Sequence, residues 1–295
     1  MRFGVHVSIR GKIADAVERA ASRGCETFQI FSRNPRGWQA KPLTDEDAAL
    51  FRERRMAAGL TPAAVHTLYL MNIASPDDAL YAKSIKSFET DLERATKLGV
   101  EYLVAHLGNY KESTPRSGVN RVVKAINRVL KPGGAGEPKL LFENTVGAGT
   151  QVGEKISELA ELFDRTKVKE RVGLCFDTCH AFAAGYNVAT KKGLDGFLKQ
   201  IDDAFGLEML MLVHLNDCKG DLGSRLDRHE HIGKGKMGLE AFRMIVNHPK
   251  LRHLPAIMET PMKRDPEDDL MNLATVRKLA KTKKPSTRKR TRKKR

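Results

Sequence analysis

Short apolar runs alternate with longer amphipathic segments along most of the chain. In three early repeats, Gly24, Gly59 and Gly99 end a helical pattern and precede a β-rich run, as expected where glycine terminates a helix. The alternation predicts eight strands, at 2–7, 26–31, 62–66, 101–106, 139–143, 172–177, 209–214 and 255–259. It predicts helices near 11–23, 45–58, 77–98, 117–130, 153–166, 191–205 and 238–247.

Eight strands alternating with helices in 295 residues predict an α/β fold, a closed (β/α)₈ TIM barrel. A doubly wound open sheet is the alternative, but no GxGxxG follows the first strand and no Walker A sequence occurs. We expect the barrel to span residues 1–276 as one domain. The long polar segment 215–236 is expected to be a functional loop.

Charge separates the end of the chain from the rest. The formal net charge is +16, and residues 277–295 contain twelve Lys or Arg and no acid, so that subtracting twelve leaves +4 for residues 1–276. Such a segment buries too little apolar surface to fold, so 277–295 is predicted to be a disordered tail, above all from about residue 281. Polyanion binding is the favoured role, with nuclear import or a solubilising role as alternatives.

Composition excludes several protein classes. No apolar run approaches the ~18 residues of a membrane span, the mean hydropathy is −0.42, and the N-terminus lacks the apolar core of a signal peptide. The four cysteines are too few for a disulfide scaffold and suit a reducing compartment.

Ionisable residues close seven of the eight predicted strands. They are His6, His66, His106, Glu143, Asp177, His214 and Glu259. In a barrel these carboxyl ends meet at one face, where active sites form. A lone residue of this kind is more often a hydrogen-bonded structural group, but so many in one mouth favour bound metal cations, which offset their repulsion and desolvation.

Two nearby clusters strengthen the metal hypothesis. His180 follows Asp177 in the turn that leaves the sixth strand, and Asp227 and His229 alternate in the polar loop, so that both can face one ion. Imidazole with carboxylate suits zinc, with manganese or iron as competitors. Cys175 and Cys179 are weak alternatives, because buried cysteine usually acts as a small hydrophobic residue.

Several motifs resemble those of endonuclease IV, the zinc-dependent apurinic/apyrimidinic (AP) endonuclease family. The similarity runs in order from residue 2 to about 262. It is carried by VHVS (5–8), FENTVGAG (142–149), GLCFDTCHAFAAGY (173–186), HLNDCK (214–219) and GSRLDRHEHIGKGKMG (223–238). The resemblance implies a TIM barrel that holds three zinc ions.

The resemblance also implies the ligands of each ion. The first ion would be bound by His66, His106 and Glu143; the second by Glu143, Asp177, His214 and Glu259; the third by His180, Asp227 and His229. Every family ligand position carries the expected residue type. Three Zn²⁺ and four carboxylates leave a charge of +2 for a phosphate.

The activity that the resemblance implies is base excision repair. A zinc-dependent hydrolase of this family, with Glu143 and Glu259 as catalytic residues, would cut the phosphodiester bond 5′ to an abasic site in DNA. A metal-bound hydroxide would attack, since zinc lowers the pKa of bound water to ~7. The products would be a 3′-hydroxyl and a 5′-deoxyribose phosphate, and blocked 3′ ends would also be trimmed.

DNA contacts follow from the same resemblance. Arg36, Tyr69 and Leu70 match residues that enter the gap left by the flipped abasic nucleotide, and Arg225 is a candidate phosphate contact. Gly37 and the LGNY sequence after His106 depart from the family pattern. The expected partner is double-stranded DNA with abasic sites, and no membrane is involved. The protein is expected to be a monomer. Its expected compartment is the nucleoid-containing cytoplasm in bacteria or the nucleus in eukaryotes.

Two other functions are compatible with parts of the sequence. A sugar isomerase or epimerase on a related barrel shares the strand-end ligands but leaves the DRHEH loop and the basic tail without a role. A non-catalytic DNA-binding protein would be favoured by a missing ligand, and none is missing. Counting bound metals separates the nuclease from the isomerase: about three ions per chain would support the nuclease, and one or two would support the isomerase.

Truncation after Ala280 tests the tail. We expect weaker DNA affinity with unchanged cleavage chemistry, because tail lysines and arginines neutralise phosphates at a distance from the barrel. For each phosphate that the tail no longer neutralises, the log–log salt slope of binding should fall by ~0.9 on duplex DNA. A fluorescence-anisotropy salt series on both proteins checks this, and an identical slope would leave the tail a role other than DNA binding.

Overall fold

The computed structural model describes residues 1–134 and 136–280. Its strands are β1 (Arg2–His6), β2 (Thr27–Phe31), β3 (Ala63–His66), β4 (Tyr102–Ala105), β5 (Lys139–Glu143), β6 (Val172–Asp177), β7 (Leu210–His214), β8 (Asp217–Cys218), β9 (His229–Glu230) and β10 (Pro255–Met258). Its α-helices are α1 (Asp15–Ser22), α2 (Asp45–Ala57), α3 (Asp78–Leu98), α4 (Pro115–Val129), α5 (Ile156–Arg165), α6 (Thr178–Ala183), α7 (Lys191–Phe205), α8 (Leu239–Asn247) and α9 (Glu267–Leu279).

Eight parallel strands close into a barrel in the order β1–β10–β7–β6–β5–β4–β3–β2. The predicted TIM barrel is therefore confirmed, and every predicted strand end lies within one residue of the observed one. Local sequence supports the connections. Thr44 accepts a hydrogen bond from the Asp47 amide at the start of α2, and Gly99, as expected, ends α3 in the left-handed conformation.

Three elements differ from the predictions. The residues after Asp177 form the short helix α6 rather than a turn, and the polar segment 215–236 contains an antiparallel β8–β9 pair. Helix α9, which was not predicted, runs through the expected domain boundary at 276 and ends at Leu279. The barrel thus continues past that boundary, and the rest of the predicted tail, 281–295, lies outside the described residues. None of the described helices has the length and hydropathy of a membrane span.

The buried side chains form two clusters. The larger one packs helices against the outside of the barrel. The smaller is a layer of side chains inside the barrel: Ala64, Val104, Leu141, Cys175, Leu212 and Ile257, one each from β3, β4, β5, β6, β7 and β10. Because strand residues two apart face the same side, the next inward positions lie at the carboxyl ends of these strands, directly above this layer.

We expect Leu141→Ala to lower the free energy of unfolding by about 2–5 kcal/mol, because it leaves a cavity in this fully buried layer. The control is Leu270→Ala on α9, where the leucine is 43% exposed and the loss should stay within about 0.5 kcal/mol. Urea unfolding at a fixed metal concentration measures both. Equal losses in the two variants would contradict this description of the barrel interior.

Candidate metal centre

Six of the sequence-predicted metal ligands occupy the inward positions above the interior layer. Each lies two residues after a member of that layer: His66, His106, Glu143, Asp177, His214 and Glu259. The other three, His180, Asp227 and His229, come from α6 and from the segment that ends in β9. The structure therefore brings all nine predicted ligands together at one end of the barrel. Six of them, His66, His106, His180, Asp227, His229 and Glu259, line a cavity of about 730 Å³.

Glu143 is the centre of the arrangement and is completely buried. One of its oxygens, Oε2, lies 3.1 Å from His66 Nε2 and 3.5 Å from His106 Nε2. The other, Oε1, lies 2.8 Å from His214 Nδ1. This carboxylate thus faces two separate sets of donors, as a bridging ligand between two ions would.

A second set of donors surrounds His214. Its Nδ1 lies 3.3 Å from Glu259 Oε2 and 4.0 Å from Asp177 Oδ2. Donor atoms of Glu143, Asp177, His214 and Glu259 all lie within 4.8 Å of one another, and so do those of His66, His106 and Glu143. We name the set His66, His106 and Glu143 the first group, and the set Glu143, Asp177, His214 and Glu259 the second group.

The third group consists of His180, Asp227 and His229, whose donor atoms also lie within 4.8 Å of one another. Asp227 Oδ1 is 3.2 Å from His180 Nε2 and 3.7 Å from His229 Nε2. Asp227 is the most exposed of the three, with 47% of its side chain accessible. The alternation of Asp227 and His229 therefore directs both side chains to one point, as predicted.

Hydrogen bonds to backbone carbonyls orient the rings of three of the histidines. The Nδ1 nitrogen of His66, His180 and His229 lies within 3.0 Å of a backbone carbonyl, of Thr67, Asn144 and Glu259 respectively. A carbonyl can only accept, so that nitrogen carries a proton, and it is the other nitrogen that presents a lone pair to the cluster once the ring is neutral. This is the histidine arrangement found at protein metal sites.

Opposite charges perturb one another strongly in the cluster. Burial disfavours the charged imidazole of His180, yet Asp177 and Asp227 raise its pKa to about 10. Burial also opposes ionisation of Glu143, but His106 and His214 hold its pKa well below the usual range. Burial alone would raise the pKa of Asp227, but the hydrogen bond to His180 together with the charges of His180, His229 and His106 lowers it to about 2. The carboxylates thus remain charged and create a strongly negative field at the imidazoles.

The donor set fits divalent metal ions. His229 Nε2 is buried and, among the described residues, has no hydrogen-bond partner, although it lies 3.7 Å from an oxygen of Asp177. An imidazole lone pair and a charged carboxylate oxygen that face each other repel unless a proton or a metal ion lies between them. A metal ion replaces such a proton on binding. Mixed nitrogen and oxygen ligands in groups of three or four suit zinc.

Neutral side chains that the sequence did not single out support the ligands. Gln29 accepts a hydrogen bond from His214 Nε2 at 2.9 Å and donates to Glu259 Oε1 at 2.6 Å. Asn216 donates to Asp177 Oδ2 at 2.7 Å and accepts from the Glu259 amide. The signal in the sequence is weak: Gln29 is a polar residue within an apolar strand, and Asn216 follows the histidine that ends β7.

Asp217 holds the polar segment in place. Its buried carboxylate accepts hydrogen bonds from the amides of Cys218, Gly233, Gly235 and Met237 at 2.8–3.1 Å. This fixes both sides of the segment that carries Asp227 and His229.

The two cysteines near the centre lie differently from the ligands. Cys175 belongs to the apolar interior layer, and burial raises the pKa of its thiol to about 12. Both it and Cys179 have sulfur atoms near donor groups. An apolar setting that keeps the thiol protonated agrees with the interpretation of Cys175 as a packing residue.

The predicted DNA-contact residues do not all reach the cavity. Arg36 and Tyr69 line it, and Tyr69 is 66% exposed. Leu70 is half-buried beside Tyr69 and is not part of the lining. Arg225 is exposed and ion-paired with Glu154 at 2.9 Å, outside the cavity lining.

Comparisons with known proteins agree in family and fold. The family model described as "Xylose isomerase-like TIM barrel" matches residues 17–278. A protein of Methanoculleus marisnigri named "Probable endonuclease 4" is 51% identical over 277 residues, covering 94% of this chain and 98% of its own length. The crystal structure of endonuclease IV from Thermus thermophilus superposes with a TM-score of 0.83 at 42% identity, covering 95% of this chain and 98% of that one.

A more distant structure, that of a D-tagatose 3-epimerase-like protein, has a TM-score of 0.69 at 17% identity over 95% of this chain and 97% of that one. At this identity the similarity shows the fold alone. The barrel is therefore shared with sugar-converting enzymes, and the chemistry must be argued from the side chains at its mouth.

We expect Gln29→Ala to lower zinc affinity by about 10–100-fold, because it removes the hydrogen bonds that orient His214 and Glu259. Titration of metal-stripped protein against a competing chelator measures the change. The matched control is Gln200→Ala, an exposed position on α7. Unchanged zinc affinity in the Gln29 variant would show that this glutamine does not support the centre.

Proposed function

The chain belongs to the endonuclease IV family, and we propose that it repairs DNA by hydrolysing the phosphodiester bond 5′ to an abasic site. The products would be a 3′-hydroxyl and a 5′-deoxyribose phosphate, as in base excision repair, and blocked 3′ ends would be trimmed by the same chemistry. The observation that carries this proposal is the convergence of nine histidine and carboxylate residues in three groups at one end of the barrel, with six of the nine lining one cavity.

We assign three zinc ions to these groups. The first group (His66, His106, Glu143) would hold one, the second group (Glu143, Asp177, His214, Glu259) another, and the third group (His180, Asp227, His229) the third. When bound, zinc supplies Lewis-acid charge and lowers the pKa of a coordinated water to ~7. Six positive charges against four carboxylates give a net +2, which favours a phosphodiester over a neutral sugar.

Glu143 and Glu259 have different environments and so different roles in this proposal. Glu143 is fully buried among histidines and cannot reach a substrate, so it acts by holding two groups together. Glu259 is 19% exposed and lines the cavity. Its Oε1 is held by Gln29 at 2.6 Å. Its Oε2 faces the second group, 3.3 Å from His214 Nδ1, and would be the oxygen that accepts a proton from the attacking water.

DNA recognition is assigned to the rim of the cavity. Arg36 and the exposed ring of Tyr69 line the cavity and would enter the duplex where a base is missing, since unstacking there costs least. Leu70 would follow Tyr69 into the gap. Arg225 would contact a phosphate after exchanging its present partner, Glu154. The protein would act as a monomer in the compartment that holds the DNA, the cytoplasm with its nucleoid or the nucleus.

A duplex with one tetrahydrofuran abasic analogue tests the activity. We expect a single nick on the 5′ side of the analogue, lost after zinc is stripped by a chelator and restored by zinc. An unmodified duplex of the same sequence is the control. No nick at any metal loading would contradict the proposal. Elemental analysis separates the nuclease from a sugar isomerase, because we expect about three zinc ions per chain for the nuclease.

Glu259→Gln tests the assigned site. We expect turnover to fall by at least about a hundredfold, the lower range for loss of a general base, while binding of the abasic duplex remains measurable by anisotropy. Glu267→Gln, an exposed position at the start of α9, is the matched control. Full turnover in the Glu259 variant would refute the role of this carboxylate.

A further inference from the structure

Arg36 is carried by a connection without regular secondary structure. Residues 32–43 join β2 to α2, and Arg36 lies near the tip of this connection, where it lines the cavity. At the tip, the Asn34 side chain accepts a hydrogen bond from the Arg36 amide at 3.1 Å. This local turn shapes the tip but does not attach it to the barrel. The contacts that do so come from α3.

A buried ion pair attaches the first part of the connection. Arg33 is 4% exposed, and its Nε and Nη2 donate to the two oxygens of Asp91 at 2.9 and 3.2 Å. The same guanidinium donates to the Ser87 hydroxyl and, through Nη1, to the Trp38 carbonyl at 2.8 Å. Asp91 is fully buried and also accepts from the Ser32 hydroxyl. Arg33 thus links both flanks of the tip to one carboxylate.

Two further α3 residues hold the rest of the connection by its backbone. Arg94 donates to the Ser32 carbonyl through Nε at 3.1 Å and to the Lys41 carbonyl at 3.0 Å. Lys97 donates to the Leu43 carbonyl at 2.8 Å. We name Ser87, Asp91, Arg94 and Lys97 the α3 anchor; their spacing of three or four residues places them on one face of the helix.

Packing on the other side of the connection is incomplete. A cavity of about 810 Å³ separates it from the residues after β1, and its lining includes Ile13, Asn34, Lys41 and Arg94. Polar contacts with α3, rather than close packing, therefore determine where residues 32–43 lie.

We propose that Asp91 and Arg94 are positioning residues that hold residues 32–43 so that Arg36 faces the lesion before DNA binds. This rests on the proposed function, because the benefit of a fixed loop is affinity for abasic DNA. A pre-ordered loop loses less conformational freedom on binding. The side chains act through the loop backbone and through Arg33, and none of them touches the metal groups.

Trp38 makes the proposal testable without DNA. It is the only tryptophan of the chain, its carbonyl is held by Arg33, and Lys83 lies 4.7 Å from the centre of its ring. Acrylamide quenching and anisotropy of its fluorescence therefore report the order of the loop in the free protein.

We expect Arg94→Ala to increase quenching of Trp38 and to weaken binding of the abasic duplex by about 10–100-fold. Zinc content and turnover at saturating DNA should stay near the wild-type values, so the loss appears in KM. Arg55→Ala is the matched control: like Arg94, Arg55 donates to a backbone carbonyl, that of Gly99, and it also pairs with the Glu101 carboxylate, at the opposite end of the barrel. This variant should leave the quenching of Trp38 and the affinity for the abasic duplex unchanged.

A second variant separates positioning from stability. Arg33→Met with Asp91→Leu removes the buried ion pair without leaving an unpaired charge, so folding is retained, but the bond to the Trp38 carbonyl is removed. We expect the same increase in Trp38 quenching and the same loss of affinity for the abasic duplex. Wild-type quenching and affinity in both variants would overturn the proposal. A wild-type protein that fails to bind or nick abasic DNA would instead contradict the proposed function, while the Trp38 measurement still decides whether α3 orders the loop.

Discussion

The alternation of side chains along the closed barrel is the constraint on which the rest of the structure depends. In β3 to β7 and β10 the inward position that closes the strand carries histidine, aspartate or glutamate, and the inward position two residues earlier carries an apolar residue. A shift of one residue in any strand would turn its ligand outward into the helical layer. The apolar layer thus forms the floor of the metal centre as well as part of the core, and packing there determines how closely ligands such as Glu143 and His214 approach.

This geometry creates an electrostatic problem that neutral groups make tolerable. Burial alone would drive these carboxylates and imidazoles to their neutral forms, but opposite charges outweigh it: the pKa of Glu143 is held low and that of His180 is raised. Backbone carbonyls and Gln29 bind the outer ring nitrogens, so the inner nitrogens remain available to a metal ion. The protein therefore fixes ring orientation with uncharged partners and leaves the carboxylate charge for the cations, which is the division of roles that a high-affinity site requires.

The sequence was sufficient for the barrel and for the position of the six candidate ligands at strand ends, because both follow from local periodicity: a strand ends where the apolar run ends, and an ionisable residue at that point is visible in the printed chain. His180, Asp227 and His229 do not close barrel strands and were indicated by their local clusters and by the family resemblance. The supporting residues were not visible in this way. Gln29 and Asn216 act through partners far away in sequence, and Asp217 acts mainly through amides on the other side of its segment. Their neighbours give only a weak signal, a polar residue in or just after an apolar strand. Helix α6 was missed because Asp177 is both the strand end and the side chain that caps the helix, through the His180 amide at 2.7 Å. The basic composition of the tail is visible in the sequence. The extension of α9 into the first residues of that tail is not, because it depends on packing against β1 and α8.

The same physical device recurs in the loops that surround the centre. Asp217 holds the segment of the third group by accepting four amide hydrogen bonds, and Asp91 holds the Arg36 connection through Arg33. In both cases a buried carboxylate is satisfied by groups from an irregular segment, and burial makes those bonds costly to break, since an unpaired charge would remain. Apolar packing alone would allow such segments many positions of similar energy. Directional bonds to a buried charge select one, so the rim keeps its shape although it lacks regular secondary structure, and the position of Arg36 relative to Glu259 becomes a property of the fold.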